Sequence, residues 1–199
     1  MGRTLSDSNI GERGSADGLE LSPFQRILLV GFMGSGKTTL GRLLASEMGW
    51  RFVDLDEAVE LHDGREISRI FQEDGEEGFR KIEHAVTLPF LGEDRVVLAS
   101  GGGWPCQEGR LEGVGPGTLS VWLRVSSEEA LDRIRRQGTR RPLLEVPNPL
   151  TRIGELLAVR EPYYRKASCW VDTELHPLRA IVRRVIDCLL TDSERPLQV

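Results

Sequence analysis

The stretch Gly31-Phe32-Met33-Gly34-Ser35-Gly36-Lys37-Thr38 most limits what this chain can fold into. It matches the phosphate-loop pattern G-x-x-x-x-G-K-[ST]. It also stands where such a loop must stand, after the apolar run 26–30 (Arg-Ile-Leu-Leu-Val) and at the opening of a helical stretch, 37–48. Glycines let the backbone curl until several N–H groups face one anion. The N-terminus of the following helix adds partial positive charge. Gly34, Ser35, Gly36, Lys37, Thr38 and Thr39 are therefore the candidate nucleotide-phosphate residues. Lys37 would bridge the terminal phosphates and the Thr38 hydroxyl would hold Mg²⁺. A glycine-rich turn into an ordinary helix is the weaker reading, because strand, spacing, Lys and Thr are all present. The motif predicts nucleotide binding and leaves the second substrate open.

The rest of the chain alternates strand and helix. Short apolar runs at 26–30, 51–55, 95–99, 119–123 and 168–172 have the length of buried strands. Helical stretches fall at 37–48, 57–61, 66–90, 127–137, 150–166 and 177–190. This order predicts an α/β fold, a five-stranded parallel sheet with helices on both faces. Ligands in such sheets bind beyond the carboxyl ends of the strands. Two stretches exceed simple alternation and read as insertions over the binding edge: about 55–92, and the Arg/Pro-rich segment of about 133–149. Residues 1–22, rich in Gly, Ser, Asp and Glu, read as a disordered leader, and 191–199 as a solvated tail around a single 23–190 domain.

Composition narrows the partners. The formal net charge of −5 argues against a dedicated nucleic-acid binder. No apolar run reaches the ~18 residues of a membrane span, and no secretory signal opens the chain. Cys106, Cys169 and Cys188 fit neither a disulfide framework nor a CxxC metal site, which points to a reducing cytoplasm. His62, His84 and His176 lack metal-ligand spacing and read as surface residues, whereas Trp50, Trp122 and Trp170 fall in or beside apolar runs and read as core.

Three further features carry chemistry. Asp54 and Asp56 close the second strand, and an i, i+2 pair on extended backbone shares one side. One carboxylate can serve Mg²⁺, and the other can accept a hydrogen bond from a substrate hydroxyl. Helix capping is the competing reading for either. No Asp ends the run 95–99, so Asp54 is the best metal-side carboxylate. Next, Ser100-Gly101-Gly102-Gly103 follows the third strand, where glycines let a substrate approach the backbone closely. Last, Arg80 falls in the first insertion, Arg136, Arg140 and Arg141 fall in the second, and Arg160 lies on the helical stretch 150–166; guanidinium forks suit carboxylates and phosphates. Gly138 among Arg and Pro suggests a lid that closes on the phosphates.

Taken together, the motifs resemble the shikimate kinase family over roughly residues 24–190. The resemblance rests on the phosphate loop, Asp54-x-Asp56, Gly75-Glu76-x-x-Phe79-Arg80-x-x-Glu83, Gly101-Gly102-Gly103, Arg141-Pro142-Leu143-Leu144 and Arg160-x-Pro162-x-Tyr164. It implies a nucleoside-monophosphate-kinase-like fold in which 55–92 holds substrate and 133–149 forms the lid. It implies transfer of the ATP γ-phosphate, with Mg²⁺ as cofactor, to the 3-hydroxyl of shikimate, by a cytoplasmic monomer with small-molecule partners only. By motif position, Lys37, Asp56 and Arg141 are implied to be catalytic, and Thr38 and Asp54 to lie at the metal. Arg80 and Arg160 are implied to clamp the substrate carboxylate, with Asp56, Gly101, Gly102 and Gly103 at its hydroxyls. Arg136 is implied to lie by the adenine, and Arg141 to reach the phosphates. The sequence departs from the family at Trp104, where a small residue is usual. Its indole is expected to pack on the nucleotide side, with core filling as the alternative. A gluconate kinase of the same fold would explain the phosphate loop but not Asp54-x-Asp56 with Phe79-Arg80 and the triplet.

Overall fold

A computed structural model describes residues 22–138 and 141–190. Five strands form one parallel sheet: β1 (Arg26–Val30), β2 (Arg51–Asp54), β3 (Val96–Ala99), β4 (Thr118–Arg124) and β5 (Cys169–Asp172), in the order β2-β3-β1-β4-β5. The helices are α1 (Lys37–Met48), α2 (Leu55–Asp63), α3 (Ile67–Phe90), α4 (Ser127–Gln137), α5 (Pro149–Tyr164) and α6 (Leu178–Leu190), with single 3₁₀ turns at Trp104–Cys106 and Pro142–Leu144.

The central strand explains the architecture. Ile27, Leu28, Leu29 and Val30 are all buried. Ile27 and Leu29 join one core with Leu40 and Leu44 of α1 and Ile181, Val182 and Val185 of α6. Leu28 and Val30 join a second core with Leu55, Trp104, Trp122 and Tyr164. A strand apolar on both faces needs cover on both, which a parallel sheet with crossover helices supplies. A third cluster, Val59, Ile70, Phe79 and Val86, joins α2 to α3, so the predicted 55–92 insertion is a helix pair with a core of its own.

Chain order runs from β3 to β4 across β1, which puts the switch point of the sheet at the carboxyl end of β1. The phosphate loop leaves from that end. Ser22, expected in the leader, is instead buried and donates to the Leu189 carbonyl at 2.5 Å, tying the start of the described chain to α6. The rest of the leader and the tail lie outside the described residues.

Several boundaries differ from the sequence reading. The second strand stops at Asp54 rather than at residue 55, because Asp54 caps α2 by accepting from the Asp56 N–H at 3.1 Å. The first five residues of the predicted lid, 133–137, belong to α4, and α5 opens at Pro149. Trp104 is a correction. It is 1% exposed and packs with Leu111, Val114, Trp122 and Tyr164 in the core, not on the nucleotide side. The 3₁₀ turn beginning at Trp104 directs its side chain inward beneath the glycine triplet.

Candidate active site

A cleft of about 1040 Å³ opens at the carboxyl edge of the sheet. It is lined by the phosphate loop, the β2–α2 junction, the 101–103 triplet, Arg80, Glu83, Arg160 and the segment carrying Arg141. Lys37 Nζ donates to the carbonyls of Gly31 and Phe32, both at 2.9 Å, which holds the ammonium over the loop. Burial pulls its pKa down to about 8, against the opposing pull of Asp56 and Asp54. An anion beside Lys37 would favour its charged form.

Thr38, in the first turn of α1, donates to Asp54 Oδ2 at 2.7 Å. Asp54 is in register with Ala99 of β3, so its carboxylate stands beside the strand that lacks one. The sequence reading of Asp54 and Asp56 as neighbours holds, but the cause differs. They do not share a strand face, since Asp56 sits in the first turn of α2 and the cap at Asp54 brings the two together. Both readings of Asp54, cap and metal-side group, are compatible, because Oδ1 caps while Oδ2 meets Thr38. Burial raises the Asp56 pKa, aided by Asp54 and opposed by Lys37 and Arg141. Thr38 and Asp54 present hard oxygen donors, the kind Mg²⁺ prefers. Among the described residues no group of three or more His, Cys, Asp or Glu could cage an ion.

Close approach accounts for two glycines of the triplet, Gly101 and Gly103, while Gly102 has ordinary contacts. A methyl group at Gly101 would lie 2.6 Å from Asp56 Oδ1 and 2.7 Å from Glu83 Oε1, and one at Gly103 would collide with the Arg80 guanidinium. Arg80 donates to Glu83 Oε2 at 2.7 Å and to Glu76 at 3.2 Å. Its guanidinium lies 5.1 Å from the centroid of Phe79, which stacks on Phe71 at 4.5 Å. Arg160 reaches the same place from α5, 3.6 Å from where a Gly102 Cβ would be and 5.6 Å from the centroid of the Phe32 ring. Two arginines from distant parts of the chain thus come to consecutive glycines, Arg160 at Gly102 and Arg80 at Gly103, with Asp56 at the neighbouring Gly101.

Arg141 is close enough to Lys37 and Asp56 to lower the pKa of both. Arg140 lies outside the described residues. Arg136 is not brought to the cleft: its side chain is 75% exposed and pairs with Asp132 at 2.6 Å. Arg133, one turn earlier, occupies the phosphate-loop side instead. It donates to the Gly34 carbonyl at 3.3 Å and to the Thr173 hydroxyl and carbonyl at 3.0 and 2.9 Å, and pairs with Glu129. The signal was present as helical spacing. Ala130, Arg133, Ile134 and Gln137 fall at i, i+3, i+4 and i+7; Gly34 lies against Ala130 and Ile134, and Gln137 lines the cleft. Glu83 is buried, and its Oε1 has no hydrogen-bond partner among the described residues; the sequence motif contains it without indicating a role. Its i, i+3 spacing from Arg80 on one helix could have revealed the pair.

Comparison with known proteins agrees with this geometry. The family model described as shikimate kinase matches residues 33–190. The shikimate kinase of Methylococcus capsulatus is 41% identical over 164 residues, 82% of this chain and 91% of that protein. That of Symbiobacterium thermophilum is 41% identical over 171 residues, 85% and 98% of the two chains. The solved structure of a shikimate kinase from Acinetobacter baumannii in complex with shikimate superposes with a TM-score of 0.81 at 34% identity, covering 91% of this chain and all of that one. The chain belongs to the shikimate kinase family.

Proposed function

We infer that the chain transfers the γ-phosphate of ATP to the 3-hydroxyl of shikimate, giving shikimate 3-phosphate and ADP, as a step towards aromatic amino acids. The observation that carries this reading is the arrival of Asp56, Arg160 and Arg80 at three successive glycines beside the phosphate loop. A small hydroxylated carboxylate needs that set: cationic forks for its acid, an acceptor for its hydroxyl, and phosphate donors within reach.

The residues divide the work as follows. The 34–39 loop cradles the phosphates, and Ser35 Oγ, buried without a partner among the described residues, is a spare hydrogen-bonding group there. Lys37 neutralises charge on the transferring phosphoryl group. Thr38 and Asp54 would hold Mg²⁺, which when bound supplies further charge neutralisation at the phosphates. Asp56 accepts the hydrogen bond of the attacking hydroxyl and aims it. Strong basicity is not needed, since phosphoryl transfer depends chiefly on positioning and electrostatics. Arg141 brings a positive charge from the 141–148 segment, which acts as the lid. Arg133 takes the nucleotide-side position first assigned to Arg136. The enzyme works as a cytoplasmic monomer; no helix among the described residues is long and apolar enough to cross a membrane.

A coupled ADP-release assay tests the assignment. ADP should appear at an appreciable rate only with shikimate present, and replacing shikimate with gluconate should return it to the background rate. Equal turnover on gluconate, or none on shikimate, would overturn the assignment.

A further inference from the structure

Tyr164 is fully buried, yet its hydroxyl finds a partner: it donates to the Gly102 carbonyl at 2.5 Å. The bond runs from the last residue of α5 to the middle of the triplet, 62 positions away in the chain. The Cys106 thiol reaches the same carbonyl more weakly, at 3.7 Å. Arg160 lies one turn earlier on α5, with Nη1 near Gly102. The ring of Tyr164 is fixed by the core beneath the triplet, beside Trp104 and 6.0 Å from Trp122 between centroids.

Three successive glycines have more backbone freedom than any other tripeptide, so their conformation must be imposed from outside. A trans peptide is planar, and its C=O and N–H point to opposite sides. Fixing the Gly102 carbonyl on the core side therefore turns the Gly103 N–H the other way. The same contact holds the triplet to the helix that carries Arg160. The Arg160 guanidinium also faces the phenol oxygen, where it opposes the upward push that burial gives the Tyr164 pKa.

We propose that Tyr164 is a positioning residue for substrate recognition: its phenol, bonded to the Gly102 carbonyl beside Arg160, locks the glycine triplet and the carboxylate-binding arginine into one unit. This rests on the assignment of Arg160 to the shikimate carboxylate. Tyr164 touches no substrate; it acts through Gly102 and Arg160.

The test is Y164F, which removes one oxygen and keeps the ring. Shikimate and ATP kinetics are measured with shikimate binding by calorimetry at low temperature, alongside Tm. Loss of one buried hydrogen bond should raise the shikimate KM and Kd roughly 5- to 20-fold, with kcat and the ATP KM within about twofold of wild type. W104F, which disturbs the same core without touching the carbonyl bond, should lower Tm but leave the shikimate KM within about twofold. In an R160K background Y164F should have a smaller effect than in wild type, because the two act as a unit. The proposal is overturned if Y164F leaves shikimate affinity unchanged, if W104F reproduces its effect, or if the Y164F and R160K effects simply multiply. Wild type failing to bind or phosphorylate shikimate would instead sink the assignment on which the proposal rests.

Discussion

Glu83 shows how one residue can tune this site. Its side chain is 1% exposed, Oε2 holds Arg80, and Oε1 faces the place a Gly101 side chain would fill. Burial pushes its pKa from 4.5 up to about 7, opposed by Arg80, with Asp56 adding to the rise and Arg110 reducing it. The sign follows from linkage. The folded protein keeps a proton that the unfolded chain has released, so this contribution to stability is full below pH 4.5 and declines until about pH 7. The loss is on the order of 3 kcal/mol across that window. Chemical denaturation at pH 5 and pH 8 should show wild type losing more stability than E83Q over the interval, whereas parallel profiles for the two proteins would refute the assignment. At this scale the sequence was legible where chemistry follows from local spacing, as at Lys37, Thr38 and Asp54. It gave Glu83 and Tyr164 as motif members without a role, because what they do depends on burial and on which groups they meet in the fold. The Arg-rich 133–141 stretch offered several guanidinium groups, and only the direction of the helix face shows that Arg133 meets the phosphate loop while Arg136 pairs with Asp132.

At the scale of elements, the strands were legible because apolar runs between glycine-rich turns have few alternative uses. Their ends moved by a residue or two where a cap intervened, as at Asp54. The helix expected at 66–90 illustrates a subtler loss. Its apolar spacing continues through Ile70, Phe79 and Val86, but two helical segments meet at Gly75, whose φ is 71° and ψ −174°. Periodicity carries no information about that break. The kink is pinned by Arg65, which donates to Glu73 at 2.8 Å and Asp74 at 2.6 Å and also pairs with Asp63 at the end of α2. This region of backbone space is essentially reserved for glycine and costs other residues roughly 1–3 kcal/mol. Among the described residues nothing lies within 4 Å of an added Cβ there, so the strain is conformational and not steric. G75A should therefore lower Tm by several degrees and raise the shikimate KM, because the second segment carries Phe79, Arg80 and Glu83. An unchanged Tm and KM would show that the kink is not required.

At the scale of the molecule, an acidic chain brings four cationic side chains, set among seven acidic ones, to the cleft where two anionic substrates must meet. The net charge of −5 coexists with Lys37, Arg80, Arg141 and Arg160 around one cleft. The sheet order delivers this. The phosphate loop leaves β1 at the switch point, Asp54 ends β2, the triplet follows β3, and the α2–α3 pair carries Arg80 back over the strand edge. Arg80 and Arg160, so far apart in sequence, are proposed to read one carboxylate. Steady-state kinetics of R80A and R160A test this most directly. A charge-assisted bond is worth roughly 1.5–3 kcal/mol, so each change should raise the shikimate KM on the order of 10- to 100-fold while the ATP KM stays nearly constant. A shikimate analogue lacking the carboxylate should bind wild type poorly and respond little to either substitution. Equal losses for ATP and shikimate, or an analogue as sensitive to the substitutions as shikimate itself, would show that these arginines do not read the carboxylate.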